Sequence, residues 1–231
     1  MKLCVPVIDL VVSGGGDAVD LRPMLKVFFL ICEPGVAWEK IAQAQRSYAF
    51  ILGTYLLPMV LLVTAVEGWS LHLHGKWQPT FQRFKLFTDA EIKGYETVQA
   101  LLLLLMVFVS AKLLHTASNN FHGRRSFHQV FTTVAYGFSP LLLMRLLDAA
   151  PMMNPAISWS LGVVLMIWVL YQGVPRVMMP DPTHAFGQYL SAIFIVALTS
   201  GMVRLITALF LQGNIDYRHS WFTTGIVKLF E

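Results

Sequence analysis

Charge is scarce in this chain. Lys, Arg, Asp and Glu make up 13% of its 231 residues, while 56% are hydrophobic. An average soluble domain is about one quarter charged, so there is too little polar surface here to cover a water-soluble globule. An integral membrane protein is the class that remains. Cysteine is scarce too. Cys4 and Cys32 are the two present, nowhere near a C-x-x-C spacing, which leaves a metal ribbon or redox motif without its parts. Both read as reduced thiols. No basic stretch interleaved with aromatics occurs, so nucleic-acid binding is excluded, and the net charge of +4 suits anionic lipid headgroups better. Paired intramembrane aspartates, H-E-x-x-H and G-x-S-x-G are all missing, so the reading is non-enzymatic and without a cofactor.

What the chain does have is a series of apolar runs of bilayer length. About twenty residues span a ~30 Å hydrocarbon core at 1.5 Å per residue. Five runs qualify: Ser47 to Val66, Tyr95 to Leu114, Phe127 to about Leu147, Ile157 to Tyr171, and Phe186 to Leu211. Pro58 interrupts the first run, and Glu67-Gly68-Trp69 closes it at the far interface. The uniform Leu101 to Leu105 run faces lipid. Asn154-Pro155 is an N-cap with a first-turn proline, opening the fourth run. Pro175 and the stretch from Pro180 to Pro182 make the following turn irregular. The segment from Ser70 to Lys93 reads as the longest polar loop. The expected fold is therefore all-α, a bundle of about five transmembrane helices.

Residues 1–33 form an N-terminal segment, partly flexible or interfacial. Val5 to Val12 is too short and broken for a signal core, and Ser13 to Gly16 is a linker, since no Lys-Ser/Thr follows to make a phosphate loop. Pro34 can open a helix in which Val36, Ala37, Ile41 and Ala44 share a side, with Glu39, Lys40 and Gln43 elsewhere. It reads either as an amphipathic surface helix with Trp38 at headgroup level or as an extension of the first span. Residues 212–231, with Trp221 and Phe222, read as an interfacial tail. More Lys and Arg fall on the N-terminal side of five spans than on the other, which predicts a cytoplasmic N-terminus.

The richest stretch is Phe121 to Pro140. Gly123 with Arg124-Arg125 makes a basic turn, and Ser126 with Gln129 has capping-box spacing. Pro140 has no N–H to give the carbonyl of Tyr136, four residues back. Ala135, Gly137 and Ser139 are small, so a neighbouring helix can come close and help satisfy that carbonyl. Gly123, Phe127, Ala135-Tyr136 and Pro140 resemble the central signature of the Yip-domain family of polytopic membrane proteins, named for binding Ypt/Rab GTPases. Glu33-Pro34 with Trp38 and Ile41 is similar to the segment before that family's first span, although aspartate is more usual than Glu33. Tyr171, Gly173 and Pro175 resemble its exit from the fourth span. The resemblance covers roughly Pro34 to Leu211, a Yip-like domain. It implies a membrane scaffold or partner-binding protein, acting with lipids and other membrane proteins or itself, in membrane organisation or as an accessory subunit. Rab binding is not carried over. A bacterial relative in the inner membrane is the version expected.

Three ionisable residues carry the competing reading. Arg204 is followed by further apolar chain, and an embedded charge costs ~3 kcal/mol or more at the bilayer centre unless it faces a partner or a wet cavity. It lines a transport path, paired with Asp148 or Glu67, or it is a structural ion pair or a snorkelling side chain; the structural reading is preferred. Arg145, nearer an interface with Asp148 three residues on, is read likewise. His72, His74, His115, His122 and His128 are placed on irregular loops as interfacial histidines rather than zinc ligands.

Overall fold

The computed structural model describes residues 22–78, 83–120, 126–180 and 183–211. Two short helices come first, α1 (Arg22–Cys32) and α2 (Pro34–Ala44). The first long helix, α3 (Tyr48–His74), contains a π-helical stretch at Ile51–Leu56, just before Pro58. A hairpin follows, β1 (Lys76–Gln78) against β2 (Arg83–Lys85), antiparallel with Trp77 opposite Phe84. Then comes α4 (Asp89–Asn120). The next span divides into α5 (Phe127–Gly137), α6 (Ser139–Arg145) and a 3₁₀ turn at Leu146–Ala149. It is followed by α7 (Pro155–Gly173), a π-helical turn at Val174–Met178, and α8 (Ala185–Leu211).

Five of the described helical segments are long and apolar enough to cross a membrane. They are not equivalent. The span Phe127–Ala149 is 78% buried inside the protein, while each of the others is 39% buried or less. The α5–α6 span is thus the central one, packed against α3, α4 and α7, with α8 set against α4 and α7, and the other four keep most of their apolar surface for lipid. Phe131, Phe138, Leu142, Met166 and Leu170 are completely buried along this span. Close approach is built in at Gly137, where an added Cβ would sit 2.6 Å from Leu170 Cδ2.

Local chemistry explains the breaks. Ser126 accepts from Gln129 N (3.4 Å) while the Gln129 amide oxygen accepts from Ser126 N (3.3 Å), the capping box the spacing predicts. Where Pro140 removes a donor, the Ser139 hydroxyl donates to the Tyr136 carbonyl instead, at 2.6 Å. The Tyr55 hydroxyl of α3 closes on Ser139 Oγ, so two spans share the repair. Asn154 caps α7 by accepting from Ala156 N at 2.9 Å.

Several expectations need correction. α3 does not stop at Glu67: it continues to His74 with Glu67 and Gly68 buried, because Glu67 has partners on other helices and needs no interface. The stretch from Ser70 to Lys93 is not an irregular loop but helix end, hairpin and helix start, turned at Gly75 (φ +66°). Its Lys76 and Gln78 point inward, onto the carbonyls of Asp148 (2.6 Å) and Leu211 (3.1 Å). In the leucine run only Leu101 and Leu105 are exposed; Leu103 is buried, as helical periodicity requires. Pro175 lies inside a π-helical turn that prolongs α7, so the chain turns only after Met178. The histidines at 72, 74, 115 and 128 are helical, and His128 bonds the Arg46 carbonyl at 2.6 Å. Gly123, Arg124, Arg125, His122, the linker at Ser13 to Gly16 and the tail with Trp221 and Phe222 lie outside the described residues.

Candidate functional site

Antiparallel spans give the bundle two ends, and each gathers a distinct set of residues. The end that holds α2 collects the family-like signature residues. α2 lays Pro34, Ala37 and Trp38 against the bundle, with Ile41 also packed on the core. Trp38 is completely buried, so the expectation that it rides at headgroup level is overturned. Its indole N–H donates to the Val169 carbonyl at 2.9 Å, and its edge meets the Tyr136 ring at a centroid distance of 6.3 Å. Burial is possible only because residue 173 has no side chain: a Cβ there would lie 2.3 Å from Trp38 Cε2. The sided pattern read from the sequence also shifts, since Val36 is exposed and Trp38 takes its place on the inner face.

The three resembling segments therefore converge through Trp38, Tyr136 and Gly173. Pro175 sits in the adjoining π-helical turn, whose Arg176 reaches Glu39 of α2 at 3.7 Å. Ala135 is buried beside Tyr136, and Pro140 marks the kink already described. Phe127 stacks near Tyr48 and His115 at the same end. Tyr171 stands apart, exposed and edge-on to Tyr189. The junction is an internal clasp.

The opposite end collects charge. Arg204 on α8 forms an ion pair with Asp148 Oδ2 on the 3₁₀ turn. Its guanidinium also donates to the Pro155 carbonyl from Nε (3.0 Å) and Nη2 (2.8 Å), and to Ser158 Oγ (2.7 Å). Ser158 in turn donates to Asp148 Oδ1 at 2.5 Å. Of the two partners considered for Arg204, the structure brings up Asp148. Glu67 goes to Arg145 instead, Nε to Oε2 at 3.5 Å, and further accepts from Gln99 (2.7 Å) and Tyr95 (3.0 Å) of α4. Arg145 donates to Thr207 at 3.4 Å. It closes α6 at this end of the bundle and is only 4% exposed, held inside by the α3 carboxylate. A small cavity adjoins both arginines, bordered also by Ser158, Trp159 and Ser200.

Lys76 completes this end from the hairpin, donating to the carbonyls of Asp148 and Ala150 (3.2 Å) at the close of the 3₁₀ turn. Burial pushes its ammonium below the usual lysine range, and the nearby Asp148 and Glu67 charges oppose that. Sequence reading missed Glu67 as a partner of Arg145, and missed Tyr95, Gln99 and Lys76 altogether. The one signal available was a carboxylate at the end of an apolar run; its partners sit on other helices, where spacing along the chain carries no information. Among the described residues no group of three or more His, Cys, Asp and Glu could hold a metal ion.

Five long apolar helices, two ion pairs buried inside the bundle and a clasped N-terminal helix pair define a polytopic α-helical membrane protein. The Yip1 domain family model matches residues 28–205, and the chain belongs to that family. Comparison with curated proteins and with solved structures gave no match.

Proposed function

We propose that this chain is a non-enzymatic membrane scaffold or partner-binding protein, held in a bacterial inner membrane with its N-terminus in the cytoplasm. The observation that carries this reading is where its polar groups go. Arg204 is ion-paired with Asp148 and hydrogen-bonded to Ser158 and the Pro155 carbonyl, and Arg145 is ion-paired with Glu67. The signature residues are spent on the Trp38 clasp. What faces outward is apolar helix surface for lipid or a neighbouring helix, and the exposed side of α2 with Glu39, Lys40 and Gln43. Such a surface suits association with other membrane proteins or with a second copy. The orientation rests on the distribution of Lys and Arg between the two sides.

The test is purification from native membranes in mild detergent, with mass spectrometry of what remains bound. A stoichiometric protein partner, or a second copy, is the expected result; a lone chain carrying only lipid would sink the stable-complex reading. A small transporter is the second reading, favoured by the cavity beside Arg145 and Arg204. Arg204→Leu separates the two. A folded variant that loses flux in liposomes supports transport, whereas a variant that fails to fold or assemble marks Arg204 as structural.

A further inference from the structure

An antiparallel hairpin that rests on a core and faces water turns its apolar side chains inward and its polar ones outward. The β1–β2 hairpin does the reverse. Strand residues alternate between faces, and the register puts Lys76 beside Lys85 on one face and Trp77 beside Phe84 on the other. The face turned into the bundle carries Lys76 and Gln78, only 4% and 1% exposed. They are held by the carbonyls of Asp148, Ala150 and Leu211. The outward face carries the Trp77 and Phe84 rings, in contact at a centroid distance of 5.1 Å and 37% and 49% exposed. Leu86, 71% exposed, continues this face from β2. Met152 borders it as a further exposed apolar side chain, since Trp77 N donates to the carbonyl of the preceding Pro151 at 3.4 Å. Against water this arrangement costs twice, by withdrawing an ammonium and an amide and by wetting two aromatic rings.

Two features identify the medium that favours it. Leu57, Leu61, Ala65, Trp69 and Leu73 recur every fourth residue along α3 and are all exposed, a stripe that faces lipid for the length of the helix. The stripe ends beside the hairpin: the chain turns at Gly75, and a Cβ there would lie 3.2 Å from Leu86 Cδ2. The lipid-facing surface of α3 therefore continues onto the hairpin. The second feature is length. The 27 residues of α3 extend about 40 Å at 1.5 Å each, more than a ~30 Å hydrocarbon core, so its last turns reach the headgroup layer. Aromatic rings with a polar edge gather at that level. We propose that the outer face of the hairpin is a lipid-binding surface, seated at the boundary between headgroups and acyl chains through Trp77, Phe84 and Leu86. Lys76 and Gln78 grip the 3₁₀ turn and the end of α8 from the other side, so the seated hairpin fixes both at one depth. This inference rests on the chain spanning a membrane and not on the scaffold reading.

The test is electron paramagnetic resonance of the full chain in phosphatidylcholine–phosphatidylglycerol vesicles. Nitroxides are attached one at a time at Phe84→Cys and Leu86→Cys, in a chain that also carries Cys4→Ser and Cys32→Ser, with Leu61→Cys as the mid-span reference. Both hairpin labels should collide more with oxygen than with a water-soluble nickel chelate, at a depth of about 5–10 Å below the phosphates and shallower than the label at Leu61→Cys. Stronger collision with the nickel chelate would overturn the proposal by placing this face in water. Weak collision with both would overturn it by showing that protein covers the face, whether residues 212–231, a second copy or another chain. A photoactivatable diazirine carried on a phospholipid needs no variant. Mass spectrometry of the unaltered, irradiated chain should find the label on Trp77, Phe84 or Leu86 as well as on the spans, and label on the spans with none on the hairpin refutes the proposal.

Discussion

Arg204 joins three elements through one side chain. From α8 it holds the 3₁₀ turn through Asp148 and the start of α7 through Pro155 and Ser158. Removing one member of a buried ion pair typically costs 3–5 kcal/mol, because the other charge is left uncompensated. Arg204→Leu should therefore lower the unfolding midpoint sharply, and adding Asp148→Asn should restore part of the loss by removing the stranded charge. If the double variant is no better than the single one, the pair is not what Arg204 contributes. Gly173 is the counterpart at the other end. Gly173→Ala sets a methyl group on the Trp38 ring and should cost about 1–3 kcal/mol, as overpacking usually does, with a change in tryptophan fluorescence as the ring shifts. The sequence made Arg204 conspicuous, since it stands inside an apolar run, and its Asp148 partner was one of two candidates.

At the scale of elements, the kink between α5 and α6 is the part that chain order made legible. Proline chemistry named the orphaned Tyr136 carbonyl, and small residues around it predicted close contact; Ser139 and Tyr55 supply the answer. Because the hydroxyl already satisfies the carbonyl, Pro140→Ala should change stability little. Ser139→Ala strands both the Tyr136 carbonyl and the Tyr55 hydroxyl and should cost about 1–3 kcal/mol. Unfolding midpoints of the two variants decide it, and the reverse order would refute this account of the kink. The hairpin was not legible. Its strands are three residues each, too short for an alternating pattern, and their inward members Lys76 and Gln78 look like loop residues until the carbonyls they meet are known. α2 was legible as an amphipathic helix, yet periodicity names a face without saying whether lipid or protein covers it. That is why a headgroup position for Trp38 is only one of the two readings its sequence allows.

Over the whole molecule, hydropathy alone sufficed for the number and order of spans, because the bilayer imposes their length. Which span lies at the centre depends on packing: the mean hydropathy of Phe127–Ala149, 1.5, is the lowest of the five, yet Pro155–Met178 at 1.7 faces lipid. The α1–α2 pair is attached to this bundle through Val27 and Leu30 of α1 and Ala37 and Trp38 of α2, of which Trp38 is the largest. Trp38→Ala should cost about 3–5 kcal/mol of packing and loosen the connection at Gln45, which already holds a left-handed backbone (φ 38°). Limited proteolysis of the purified protein should then cut near Gln45 while leaving the five-helix bundle whole; an unchanged digestion pattern would mean that other contacts hold α2.

The pairing of charges across the bundle also sets a timetable for its synthesis. Glu67 leaves the ribosome well before Arg145, and Asp148 well before Arg204, so each acid reaches the membrane ahead of its base. Until α8 arrives, Asp148 lacks the Arg204 guanidinium, and a nascent chain stopped ahead of Arg204 should linger in the protected space of the insertion machinery. Helix α8, the last of the described spans, is then also the signal for release. Site-specific crosslinking of arrested chains of increasing length would trace that release, with contact to the insertion machinery expected to fall once Arg204 has entered.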